Sequence, residues 1–228
     1  MIIAQFVATV ILGYLLGSIP FGLLVARRTA RVDIREHGSQ KTGATNVLRT
    51  AGKKAAVLVL ALDVLKGVLA VIFAQLIIGD SYLVIGGFTL GKPVAQSLAA
   101  MAAMAGHIWP VFLKFRGGRG VATFIGGLLA MCPLVAACGT VVFILGAGLT
   151  RYVSLGSIAG AVATYAILVP LTILNGSPVV YLGYALLGTV IIAVMHRDNI
   201  ARLIAGKERR LGEKAGSPDS PASPEGVG

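Results

Sequence analysis

Three stretches of this 228-residue chain set cations beside glycines, hydroxyls and amides: HGSQKTGATNVLR at 37–49, FRGGRGVAT at 115–123 and HRDNIARLIAGKE at 196–208. In the second, Gly117, Gly118 and Gly120 let the backbone turn sharply and approach a ligand closely. The apolar run that follows opens a helix whose first N–H groups are free for an anion. Arg119 adds a fork of donors matched to phosphate oxygens. The competing reading is a simple turn, and the stretch is not a Walker loop, which needs GxxxxGK[ST]. The first stretch repeats the logic with Ser39, Thr42, Thr45, Asn46 and Arg49, small donors that leave room for oxygen ligands. Asn46 and Arg49, three apart, would share one side of a helical turn, although an ordinary capped helix start reads equally well.

The histidines narrow the chemistry. An acyltransferase dyad of the His-x4-Asp type needs Asp five residues after His, but Thr42, Phe112 and Ala201 follow His37, His107 and His196 at that spacing. Neither GxSxG nor HExxH occurs, so serine acyl-enzyme chemistry and zinc hydrolysis have no support. Asp63 and Lys66 lie within an apolar run, where each is costly unless paired. They are read as a structural ion pair, or as a pair whose Lys66 points into a cationic cavity.

These residues must be held by membrane helices. With 56% hydrophobic and 13% charged residues and a mean hydropathy of +0.86, the chain exceeds what one soluble core buries. Apolar runs at 2–26, 55–78, 93–113, 121–149, 153–174 and 178–195 are long enough to cross the bilayer as helices. The first has no basic leader or clean cleavage site and is read as a retained helix. If 121–149 were one span, cations would fall on both faces; two short helices breaking near Pro133 put eighteen inside and one outside. The expectation is therefore an all-α, polytopic protein with seven transmembrane helices over 1–214, N-terminus periplasmic and C-terminus cytoplasmic. Residues 215–228, rich in Pro, Gly and Ser, should form a disordered tail. Cys132 and Cys138 are read as packing residues. The net charge of +11 is largely explained by orientation and anionic lipid, and no nucleic-acid partner is expected.

Taken in order, GSIPFG (17–22), REHGSQKTGATNVLRTAGKKAAVLVLALDVLKG (35–67), GHIWPVFLKFRGGRGVAT (106–123), TRYVSLGSI (150–158) and HRDNIARLIAGKE (196–208) resemble the bacterial acyl-phosphate:glycerol-3-phosphate acyltransferases, the PlsY family. The resemblance implies a seven-helix inner-membrane enzyme, with its site facing the cytoplasm, that moves a fatty acyl group from acyl phosphate to glycerol 3-phosphate. No residue cluster calls for a metal, and no cofactor is expected. Two departures stand out: Gln40-Lys41 where the family usually has Gly-Asn, and Arg119 where it usually has Lys. With that chemistry, Arg119 and Arg49 with the 117–120 backbone are assigned to phosphate binding, and Ser39, Asn46 and Asn199 to orienting substrates. His196 is assigned to phosphate binding or proton handling. Thr42, Lys66, His107 and Ser154 complete the expected substrate-binding set. A transporter for a phosphorylated anion would also want glycines, cations and broken helices, but the opposite loops carry almost no polar groups for a second gate.

Overall fold

The computed structural model describes residues 1–213; Lys214 and the expected tail at 215–228 lie outside the described residues. The first apolar run is not one helix. α1 (Ile2–Ser18) ends at Ile19, held extended by the following Pro20, and α2 (Phe21–Ala30) restarts beyond it. A loop then leads to the short α3 (Ala44–Thr50) and the long α4 (Lys53–Ile78). Here the all-α expectation is incomplete: β1 (Leu83–Ile85) and β2 (Phe88–Leu90) form an antiparallel hairpin, with Leu83 opposite Leu90. Gly86 and Gly87, both at positive φ, supply the two-residue turn that matches strand twist.

α5 (Lys92–Ile108) stops short of the expected Leu113 because Pro110 follows, and a 3-10 turn at Val111–Leu113 reverses the chain. The long run at 121–149 divides where the charge argument placed the break. α6 (Val121–Met131) and α7 (Pro133–Thr150) meet at Cys132. At 11 residues α6 is about 16 Å long, roughly half a hydrocarbon core. α8 (Val153–Asn175), α9 (Val179–Met195) and α10 (Arg197–Ile204) follow. Four segments are long and apolar enough to cross a membrane: 2–30 (α1 with α2), α4, α7 and α8. The pair α9–α10, bent by 60°, makes a fifth.

Small residues let these helices close on one another, the packing device of a lipid-embedded protein. A Cβ at Gly126 of α6 would collide with the Val64 carbonyl of α4, and one at Gly156 of α8 with the Phe143 carbonyl of α7. Those four helices form the walls of the site. On the loop before α3, Gln40 sits at φ 57, the left-handed region that disfavours side chains. Its glycine-type conformation is thus retained without glycine. Gln40→Gly is expected to raise stability by about 1 kcal/mol with activity kept, read as a higher detergent unfolding midpoint. A lowered midpoint would show that the side chain compensates for the strain.

Candidate active site

A cavity of about 550 Å³ lies among α3, α4, α6, α7 and α8, with His196, Asn199 and residues 208–209 on its remaining side. One end is polar and cationic, lined by Ser39, Lys41, Arg49, Arg119 and Arg209. The other is apolar, lined by Val64, Phe124, Ile125 and Phe143 among others. Leu60 of α4 and Leu129 of α6 also line it while remaining 46% and 42% exposed, so the apolar arm reaches the outer surface of the helix bundle.

The first motif is a loop organised by one amide. Asn46 Nδ2 donates to the carbonyls of Ile34 (2.8 Å), His37 (3.1 Å) and Lys41 (3.0 Å), while Oδ1 accepts the Ser39 N–H at 3.0 Å. Asn46 was expected to orient substrate; its polar atoms are instead spent holding Ser39 over the cavity. Asp33, clasped by Arg35 and Arg27 and held by them well below the usual carboxylate range, closes the base of the same loop. Thr42 and Lys66 are not brought to the cavity. Both line a separate small crevice, where Lys66 Nζ pairs with Asp63 at 2.9 Å and donates to the Ile19 carbonyl at 3.3 Å. Of the two readings of Lys66, the structural pair is the one observed: it caps the break between α1 and α2.

The glycine loop is also less of a donor array than expected. Gly117 and Gly118 donate their N–H groups to the carbonyls of Ile108 and His107, each at 3.0 Å. A Cβ on either would strike His107, so these glycines serve close packing. The imidazole of His107 approaches Asp63 at 3.5 Å and supports the loop from beneath. Beyond it, the backbone N–H groups of Arg119 and Gly120, together with the first turn of α6, donate to no backbone acceptor among the described residues. Arg119 Nε is buried without a partner there. Burial pulls the Arg119 guanidinium down to about 10, with Glu208 opposing and Arg202 and Arg49 reinforcing the shift; it remains charged at neutral pH. Arg49 is lowered by burial and then by Arg209, and Lys41 by burial and then by Arg119. These guanidinium and ammonium groups crowd one another, and an entering anion would relieve all of them.

The third motif turns back on itself. Gly206, at φ 67, reverses the chain after α10, so that Glu208 accepts from Asn199 Nδ2 (2.6 Å), Arg202 Nε (2.8 Å) and Ser154 Oγ (3.0 Å). Ser154 and Asn199 are thus brought to the cavity, with Asn199 Oδ1 left buried and unpartnered among the described residues. Glu208 and Arg209 were not singled out from the sequence; a glycine two residues before Glu208 is the only local signal of their return.

His196 Nδ1 lies 2.8 Å from the Ile192 carbonyl, so Nδ1 carries the proton and Nε2 is left as a lone pair. Burial, and next the Arg119 charge, push its pKa down to about 4. Between that value and about 6.5 the unfolded chain binds a proton that the folded chain refuses, so stability should fall as pH drops through this window. His196→Gln is expected to flatten that dependence in detergent unfolding measurements. Parallel curves for the variant and the wild type would count against it.

Several known proteins are similar to this chain over nearly its whole length. The family described as "Glycerol-3-phosphate acyltransferase" matches residues 7–206. A glycerol-3-phosphate acyltransferase 3 of Dehalococcoides mccartyi is 60% identical over 94% of this chain and 100% of its own length. A glycerol-3-phosphate acyltransferase of Shouchella clausii is 42% identical over 93% of this chain and 98% of its own. Among solved structures, the glycerol 3-phosphate form of PlsY (YgiH), an integral membrane glycerol 3-phosphate acyltransferase, superposes with a TM-score of 0.78 at 38% identity, covering 91% of this chain and 96% of that one. Its lysophosphatidic acid form gives 0.76 at 37% identity, covering 91% and 95%. The family match over most of its length, the identity to these relatives and the shared fold show that the chain belongs to the PlsY family of integral membrane glycerol-3-phosphate acyltransferases.

Proposed function

We propose that this membrane enzyme transfers a fatty acyl group from acyl phosphate to the 1-hydroxyl of glycerol 3-phosphate, giving lysophosphatidic acid and phosphate for phospholipid synthesis. The observation that carries the reading is the single cavity with Arg49 and Arg119 at one end and an apolar arm reaching the bundle surface at the other. That shape suits one soluble and one lipid phosphate meeting head to head. Acyl phosphate is a mixed anhydride and already activated, so positioning and charge stabilisation suffice. Arg119, Arg49 and the free N–H groups at the start of α6 hold phosphate oxygens. Ser39 and the Asn199 Oδ1 orient the substrates. The Nε2 lone pair of His196 cannot donate to phosphate; it accepts the hydrogen of the glycerol hydroxyl. The hydroxyl oxygen attacks the acyl carbon, the bond to the phosphate oxygen breaks, and the hydroxyl proton passes to His196 or to the departing phosphate.

The cytoplasmic face of the bacterial inner membrane is the proposed location, with seven spans: α1–α2, α4, α5, α7, α8 and α9 at or near full length, and the half-length α6, which local thinning of the bilayer would accommodate. In favour of this, the three polar motifs converge on one end of the bundle. Purified protein supplied with palmitoyl phosphate and glycerol 3-phosphate should release inorganic phosphate and form lysophosphatidic acid. Release without glycerol 3-phosphate, or none at all, would refute the assignment. For topology, single cysteines at 80 and 176 in a Cys-free background should label from the periplasm, and those at 40 and 210 should not.

A further inference from the structure

We propose that Arg209 is a further phosphate ligand of this cavity, carried on a C-terminal strap that forms one of its walls. Among the sequence cations it looks like part of a basic tail, yet its surroundings differ from those of its neighbours. Lys207 and Arg210 are exposed, while Arg209 is partly buried and lines the cavity. Its Nε is buried with no hydrogen-bond partner among the described residues. The charge that most affects Arg49, after burial itself, is that of Arg209, so the two guanidinium groups share one end of the site.

The strap is anchored on both sides of Arg209. On one side Glu208 accepts the three bonds from Ser154, Asn199 and Arg202. On the other, Leu211 donates its N–H to the Arg151 carbonyl at 2.6 Å, and Arg151 Nη2 donates back to the Leu211 carbonyl at 3.2 Å. Residues 208 and 211 are therefore fixed to α8 and to the α7–α8 turn, and Arg209 between them is held in position. A guanidinium so placed beside a second one, with a buried donor unspent, is arranged for a dianion that both can share. The ligand is the phosphate of glycerol 3-phosphate or that of the acyl donor, and separate kinetics on each substrate tell them apart.

The inference rests on the acyltransferase reading, and the test separates the two. Arg209→Ala, Arg209→Lys and the exposed control Arg210→Ala are assayed by phosphate release, varying palmitoyl phosphate and glycerol 3-phosphate in turn. Arg209→Ala should raise the KM of at least one substrate about tenfold or more, the substrate affected naming the phosphate, with partial recovery in Arg209→Lys and little change in Arg210→Ala. In parallel, millimolar inorganic phosphate should raise the unfolding midpoint of the wild type and Arg210→Ala by clearly more than that of Arg209→Ala. Equal effects of Arg209→Ala and Arg210→Ala, which a nonspecific basic tail would give, overturn the proposal. So does a change confined to kcat. If the wild type shows no acyl transfer, the functional reading fails and the phosphate-dependent midpoint alone decides the role of Arg209.

Discussion

Replacing Arg119 by alanine is expected to lower the catalytic efficiency of acyl transfer by roughly ten- to over a hundredfold, the loss of one charge-assisted contact of about 1.5–3 kcal/mol. Folding should be untouched. Arg119 has no carboxylate within salt-bridge distance among the described residues, and its buried Nε has no acceptor, so truncation orphans no partner. Removing it also relieves repulsion with Arg49 and Lys41 in the empty cavity. The unfolding midpoint should therefore stay level or rise while activity falls, a combination that a structural arginine would not produce. Arg119→Lys keeps the charge and should retain much of the activity. Arg28, exposed on α2, serves as control, because a cation used only for orientation is dispensable among its neighbours. Equal, small effects of Arg119→Ala and Arg28→Ala in the phosphate-release assay would remove Arg119 from the phosphate site.

The opposite signature belongs to Glu208. Glu208→Ala should cost about 3 kcal/mol or more of stability, because it strips the acceptor from Ser154, Asn199 and Arg202 together. Activity should fall with it, since the strap would lose one of its two anchors and Asn199 its orientation. Glu208→Gln keeps an acceptor for the hydroxyl and the amide but gives up the ion pair with Arg202, and should fall between. An unchanged midpoint in Glu208→Ala, measured in the same detergent, would show that the strap is held by Leu211 alone.

The contrast between these two residues explains what the sequence discloses. The place of Arg119 in the cavity is legible because its signal is local: flanking glycines and the start of an apolar run mark a turn at the mouth of a helix. The break at Pro133 is legible for a similar reason, since proline and the distribution of charge act through neighbours and through the membrane. Glu208 and Arg209 acquire their roles from Ser154 and Arg151, more than fifty residues away, and no pattern along the chain encodes that meeting. Asn46 was noticed for the right reason, an amide among hydroxyls, but whether an amide faces a ligand or its own loop depends on where three carbonyls end up. Lys66 shows the same ambiguity, resolved only by the Pro20 break that exposes the Ile19 carbonyl to it. The hairpin at 83–90 did carry a signal, Gly86-Gly87 between β-branched and aromatic residues, overshadowed by the apolar runs around it.

The apolar arm that opens past Leu60 and Leu129 means the two substrates are counted in different units. A soluble phosphate arrives from a volume, so its saturation follows molarity. An acyl donor arriving from the leaflet is sampled per area, and saturation follows its mole fraction among the lipids. Diluting the bilayer with inert phospholipid at constant bulk donor should slow the reaction as though donor had been withdrawn, and leave the half-saturating glycerol 3-phosphate where it was. On the proposed reaction the products should partition likewise, the acylated glycerol phosphate returning laterally to the leaflet and inorganic phosphate departing into water.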